Sequence, residues 1–193
     1  MRKIKAAVFA SGTGSNFEAM MNDENLACEI VLLVCDKPGA TVIDKANQYG
    51  VQTFVLNPRD YDTKQEYESN ILITVRELEV EWIFLAGYMR LIGPTLLEAY
   101  EGRIINIHPS LLPNFPGKDA IGQAIRAACK TTGVTVHYVD EGMDTGPIIA
   151  QKKVEIFPND TEETLKSRIQ EIEHALYPEV INMVVGLVEL EEV

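Results

Sequence analysis

Ile4-Lys5-Ala6-Ala7-Val8-Phe9-Ala10-Ser11-Gly12-Thr13-Gly14-Ser15-Asn16 sets the pattern that the first half of the chain repeats. An apolar run, broken only by Lys5, reads as a strand buried on both faces. Two glycines then let the backbone turn tightly, and residues 15–22 read as a helix. The same alternation continues with a strand at 30–35, a helix at 41–48 and a short strand at 52–56. A long helix follows at 63–78, with Tyr67, Ile71, Val75 and Leu78 on one face, and then a strand at 82–86.

Alternating apolar strands and amphipathic helices predict an α/β fold, Rossmann-like, with a mostly parallel central sheet and helices on both faces. In such a fold, ligands sit beyond the carboxyl ends of the strands. After Arg103 the pattern loosens. A strand ends at His108, a proline-rich loop follows, and 120–129 reads as a helix. Residues 134–139 and 146–156 read as antiparallel strand neighbours across a turn at 140–145. Asp160 with Glu163 has the spacing of a capping box for a last helix. Leu165, Ile169, Ile172 and Leu176 stripe that helix, and Pro178 is expected to kink or restart it.

The 193 residues suit one domain, large enough to bury a core without metal or disulfides. A net charge of -12 disfavours non-specific binding to nucleic acid. It leaves room for a small anionic ligand held by backbone amides. Cys28, Cys35 and Cys129 are odd in number and form no CxxC pair, so a reduced, cytoplasmic setting is the simpler reading. The apolar run after Met1-Arg2-Lys3 is too short for a signal peptide core or a membrane span. The acidic residues 189–192 read as a solvated tail.

Arg103-Ile104-Ile105-Asn106-Ile107-His108-Pro109-Ser110 carries the chemistry. Side chains two apart on a strand point the same way. Asn106 and His108 therefore share a face, with Ile105 and Ile107 on the other. An amide donor beside an imidazole can stabilise an oxyanion and move a proton. Asp144, between Gly142 and Gly146, either makes a polar turn or pairs with His108, and a carboxylate there would favour the imidazolium. Ser110 is not in a nucleophile elbow, which favours direct transfer between two bound substrates. His137 lies mid-strand and reads as structural, and His174 as a surface or capping residue. The three histidines lack metal-ligand spacing, so no metal is expected.

Two loops have open readings. Gly12, Thr13, Gly14, Ser15 and Asn16 form either a phosphate cradle at a helix start or a turn that needs glycine for geometry alone. The third glycine of a dinucleotide fingerprint and the Gly-Lys-Ser/Thr of a P-loop are both absent. Met89, Arg90, Leu91 and Ile92, after the strand at 82–86, line either a slot for a flat ring system or a core loop.

Taken with residues 9–16, 85–92, 106–113 and 133–151, these segments resemble the folate-dependent formyltransferases, specifically the glycinamide ribonucleotide transformylases (phosphoribosylglycinamide formyltransferases) of purine synthesis. The resemblance runs in order over nearly the whole chain. It implies a single formyltransferase domain, with a nucleotide-binding half at about 1–100 and a catalytic, folate-binding half at about 101–193. It implies Asn106, His108 and Asp144 as catalytic residues, and Gly12, Thr13, Gly14, Ser15, Asn16 and Glu173 around the phosphate and ribose of glycinamide ribonucleotide. For 10-formyltetrahydrofolate, the co-substrate, it implies Lys64, Met89, Arg90, Leu91, Ile92, Asn106, Val139, Asp140 and Glu141. Residues 117–120 lack a histidine that some relatives carry, and no role is carried over there.

On this resemblance the ribonucleotide amine attacks the formyl carbon, Asn106 and protonated His108 stabilise the oxygen, and Asp144 holds His108. The implied partners are these small molecules, with neither nucleic acid nor membrane, and the chain acts as a monomer or a homodimer. A methionyl-tRNA formyltransferase would need an RNA-binding domain, and relatives that deformylate formyltetrahydrofolate carry an extra amino-terminal domain.

Overall fold

The computed structural model describes residues 3–191, with side chains described through residue 187. The expected acidic tail at 189–192 therefore lies outside the described side chains. Thirteen elements follow one another as β1 (Ile4–Ala10), α1 (Ser15–Met21), β2 (Cys28–Cys35), α2 (Thr41–Gln48), β3 (Gln52–Val55), α3 (Lys64–Glu77), β4 (Trp82–Leu85), α4 (Pro94–Ala99), β5 (Ile104–His108), α5 (Ala120–Arg126), β6 (Thr131–Tyr138), β7 (Ile148–Glu155) and α6 (Glu162–Glu191). They build a 7-stranded sheet in the order β3-β2-β1-β4-β5-β6-β7. The first five strands pair in parallel. β6 and β7 pair antiparallel to their predecessors.

β1 shows why an unbroken apolar run was needed. Ala6, Val8 and Ala10 are buried with Phe17, Val42, Leu165 and Tyr177 of α1, α2 and α6. Ala7 and Phe9, pointing oppositely, are buried with Tyr67, Ile71, Val75 and Leu96 of α3 and α4. Each fully buried Leu, Ile, Val or Phe contributes roughly 1.5–3 kcal/mol. From β1 the chain winds outward to β2 and β3, then crosses back to β4 on β1's other side. That reversal opens a crevice at the carboxyl ends of β1 and β4.

The boundaries depart from the sequence reading where local polar groups decide them. Thr63 caps α3, its Oγ1 accepting the Glu66 amide at 3.1 Å. Thr161, not Asp160, caps α6: its hydroxyl accepts the Thr164 amide at 3.2 Å, and Thr164 Oγ1 accepts the Thr161 amide at 2.9 Å. Asp160 is instead gripped by both terminal nitrogens of Arg168, at 2.8 and 2.9 Å. That grip, with the Phe157 amide, holds its carboxyl well below the usual range. Pro178 does not divide α6, because Tyr177, Val180, Ile181 and Val184 anchor the helix in the core across it. α5 ends at Arg126, three residues short of the reading, and Ala128 adopts a left-handed φ of 51° just beyond. α4 and a 3₁₀ turn at Pro58–Asp60 were not anticipated.

One buried polar contact ties α6 to the sheet. The Tyr177 hydroxyl reaches the carbonyl of Leu85 at 2.8 Å, at the end of β4, and that of Ile105 at 3.1 Å, near the start of β5. Tyr177→Phe strips both carbonyls of that donor and is expected to cost about 1–3 kcal/mol. Urea unfolding monitored by circular dichroism measures it.

Candidate active site

A cavity of about 710 Å³ occupies the crevice. Its walls are the loops after β1 (12–16), β4 (86–92) and β5 (108–109), the segments 117–121 and 142–144, and Glu162, Lys166, Gln170 and Glu173 of α6. Asn106, His108 and Asp144, separated by up to 38 positions, meet on it.

The pairing of β5 with β6 sets the polar cluster. Asn106 lies opposite His137, and His108 opposite Thr135. Directly opposed residues on antiparallel strands project to the same face, so His137 joins the two predicted side chains. Its Nε2 is 3.2 Å from Asn106 Nδ2 and 3.7 Å from Asp144 Oδ1. Its Nδ1 donates to the Tyr138 carbonyl at 2.7 Å. A carbonyl only accepts, so the neutral ring carries its proton on Nδ1 and accepts an Asn106 N–H at Nε2. The second Asn106 N–H stays available to a ligand.

His108 is 5 % exposed. Its Nε2 donates to the Phe115 carbonyl at 2.9 Å, which leaves Nδ1 as the position that gains or loses a proton. Nδ1 lies 3.5 Å from Asp144 Oδ2, beyond the 2.7–3.2 Å of a well-formed hydrogen bond. Asp144 is thus a charge partner to His108. The Gly117 amide donates to the same carboxylate at 2.7 Å. Burial alone would raise the Asp144 pKa. The His137 ring, the Gly117 amide and the His108 ring beside the carboxylate together bring it below the ordinary value. Ser110 is fully buried and donates its hydroxyl to the Asn114 carbonyl at 2.5 Å, which removes it as a nucleophile.

At the opposite end, Gly14 caps α1 with a left-handed φ of 74° and no side-chain cap, so the amides at the helix start keep free valence. A Cβ at Gly14 would lie 2.5 Å from Val42 Cγ2, and no larger residue fits. Asn16 donates to Glu173 Oε2 at 3.2 Å, while Asn16 Oδ1 is buried without a partner. Glu173 is 7 % exposed. Burial pushes its carboxyl up to about 7, against the lowering effect of Asn16 and Lys166. Met89 and Leu91, 61 % and 47 % exposed, give the cavity mouth an apolar rim with Ile92 and Val139.

Three residues implied for the folate do not reach the cavity wall. Lys64 lies 4.0 Å from the buried Glu68. Asp140 turns back on its own loop, accepting the Gly142 amide at 3.0 Å and the Thr145 hydroxyl at 2.6 Å. Glu141 is exposed. His137, read as structural, is a member of the cluster. The missing signal was strand register, which a single strand's pattern does not contain. Lys166, Gln170 and Glu173 line the cavity as a 3.6-period stripe on α6, a signal the sequence did hold. His174 is half-buried, and its enclosed Nε2 has no hydrogen-bond partner. Among the described residues, no group of three or more His, Cys, Asp or Glu side chains could hold a metal ion. No described helix is long and apolar enough to cross a membrane.

A mostly parallel sheet with a cluster of Asn106, His108, His137 and Asp144 on its cavity matches a known class. The sequence pattern of the formyl transferase family fits residues 4–181, and the chain belongs to that family. It is 58% identical over 186 residues to the phosphoribosylglycinamide formyltransferase of Bacillus subtilis, covering 95% of both chains. A crystal structure of glycinamide ribonucleotide transformylase 1 from Geobacillus kaustophilus superposes with a TM-score of 0.93 at 57% identity, covering 96% of this chain and 100% of that one. The phosphoribosylglycinamide formyltransferase of Bacillus halodurans gives 0.92 at 53% identity, covering 94% and 95%.

Glu173 yields a test. Its pKa of about 7 in the folded protein exceeds the roughly 4.3 of an unfolded chain. The folded state therefore holds the proton more tightly, and stability from this group is lost as pH rises between those values. Glu173→Gln cannot ionise. The unliganded variant should match the parent below about pH 4 and exceed it by about 3–4 kcal/mol at pH 8, measured by urea unfolding across pH.

Proposed function

We propose that this chain transfers the formyl group from 10-formyltetrahydrofolate to the amine of glycinamide ribonucleotide. The products are formylglycinamide ribonucleotide and tetrahydrofolate, a step of de novo purine biosynthesis, and no covalent enzyme intermediate forms. One observation carries this reading: Asn106, His108, His137 and Asp144 converge on the cavity whose far end is the loop at 12–16. One domain does both tasks, with residues up to about 100 holding the nucleotide and the remainder bearing the catalytic groups. It works in the cytoplasm as a monomer or homodimer, on small molecules alone.

The ribonucleotide phosphate sits on the amides of Gly12, Thr13, Gly14, Ser15 and Asn16, where the helix start favours an anion. Glu173 accepts from the ribose hydroxyls, which explains why a costly buried carboxylate is kept there. The pterin ring lies against Met89, Arg90, Leu91, Ile92 and Val139. Asp140 and Glu141 continue the loop that runs along the folate, and Lys64 supplies a cation for its glutamate tail.

The neutral amine nitrogen bonds to the formyl carbon, and the carbonyl electron pair moves onto oxygen. The free Asn106 N–H and the Nδ1–H of protonated His108 stabilise that oxyanion, as preorganised donors do in a site screened from water. Asp144 balances the imidazolium. Collapse breaks the bond to N10 of the folate, and the proton released by the attacking nitrogen passes to N10 through His108 or a water. His137 holds Asn106 and shares Asp144.

Asn106→Ala, His108→Ala and Asp144→Ala should each lower kcat, by about 10²–10³-fold for the amide donor, with little change in ribonucleotide affinity. Near-normal turnover in His108→Ala removes it from the mechanism. Gly14→Ala should raise the KM for the ribonucleotide more than that for the folate, because the new methyl meets Val42 under the loop. An absorbance assay for tetrahydrofolate formation, run with and without ribonucleotide, tests the reaction. Turnover without the ribonucleotide would mean that water is the acceptor.

A further inference from the structure

Ser11 follows β1 immediately before the loop at 12–16, and its side chain bridges to the neighbouring strands. Its hydroxyl donates to Asp36 Oδ1, at the end of β2, and accepts the Met89 amide at 2.9 Å, in the loop after β4. Its own amide donates to the Gly87 carbonyl at 3.2 Å. Ser11 is buried. Three adjacent strands, β2, β1 and β4, are thus joined at their carboxyl ends by one chain of polar contacts. A hydroxyl has one proton. Because Asp36 takes it, the oxygen's lone pairs are fixed toward Met89, and the peptide entering 89–92 cannot rotate freely. The next residue is tied as well, since the Gly12 carbonyl accepts the Val42 amide at 3.1 Å.

We propose that Ser11, oriented by Asp36, is a positioning residue that couples the occupancy of the two substrate subsites. This rests on the reading that the ribonucleotide occupies the loop at 12–16 and the folate the loop at 86–92. A ligand held on the loop at 12–16 sets the position of Ser11, and through its hydroxyl that of the Met89 peptide. The second ligand then meets a loop already set for it, which is positive cooperativity carried by direct contacts. By linkage the effect is reciprocal.

Calorimetric titration of the intact protein with tetrahydrofolate, alone and with saturating glycinamide ribonucleotide, tests this. In the parent protein the ribonucleotide should tighten tetrahydrofolate binding by about fivefold or more. In Ser11→Ala that factor should fall toward one, while the ribonucleotide's own Kd moves less than about threefold, a small fraction of the range open to coupling. Asp36→Asn keeps an oxygen for the Ser11 hydroxyl and should retain the coupling, whereas Asp36→Ala should lose it. A merely structural defect would weaken both ligands in Ser11→Ala and leave their ratio intact. Equal coupling in parent and Ser11→Ala, or none in the parent, overturns the proposal. If Ser11→Ala does not fold, the two Asp36 variants decide by the same comparison. Leu91→Asp separates the underlying reading: undiminished tetrahydrofolate binding there would show that the folate lies elsewhere.

Discussion

The register between β5 and β6 is the constraint on which the site depends. It sets Asn106 against His137 and His108 against Thr135. A slip by one residue would turn every one of these side chains to the opposite face. The buried isoleucines and valines prevent that slip: Ile105, Ile107, Val134 and Val136 pack into the core beneath α6 and cannot be exchanged for the polar set. Thr135 adds a lock, donating to the Ser110 carbonyl at 2.7 Å and accepting the Leu112 amide at 3.1 Å. Hydrophobic burial thus sets the position of the polar chemistry to within one residue.

Electrostatics follow from that placement. The chain carries a net charge of -12, and the cavity wall mixes Asp144, Glu162 and Glu173 with Arg90, Lys118 and Lys166. The Gly117 amide and the two imidazoles beside Asp144 favour its ionised form, whereas burial draws Glu173 toward neutrality. Two carboxylates in one cavity therefore hold their protons differently, as their different tasks require. A charge partner for an imidazolium must stay ionised. A group awaiting hydroxyl donors can be costly when empty and satisfied when occupied.

Much of the architecture was legible because burial on two faces leaves an unmistakable pattern. β1 and α2 have the bounds read from the sequence, and Asn106 and His108 face the cavity as their spacing predicted. What escaped reading is set by partners distant in sequence. His137 looked like a core histidine because nothing in residues 131–138 reveals which strand lies beside them. The α6 cap went to Thr161 because Arg168 claimed Asp160. α4, with 6 residues and a glycine cap, has too little periodicity to register. The turn at 140–145 also closes on itself, Asp140 accepting the Gly142 amide, a local geometry that spacing alone does not display.

The central claim is that the formyl group passes directly from one small molecule to another across the Asn106–His108–Asp144 edge. Tracing an isotopically labelled formyl group through one turnover tests it most directly, with acid quench and separation of protein, ribonucleotide and free formate. The account predicts label on the ribonucleotide in step with tetrahydrofolate formation, and none on the quenched protein. Label retained on the protein, or released as formate at the rate of folate turnover, would contradict it.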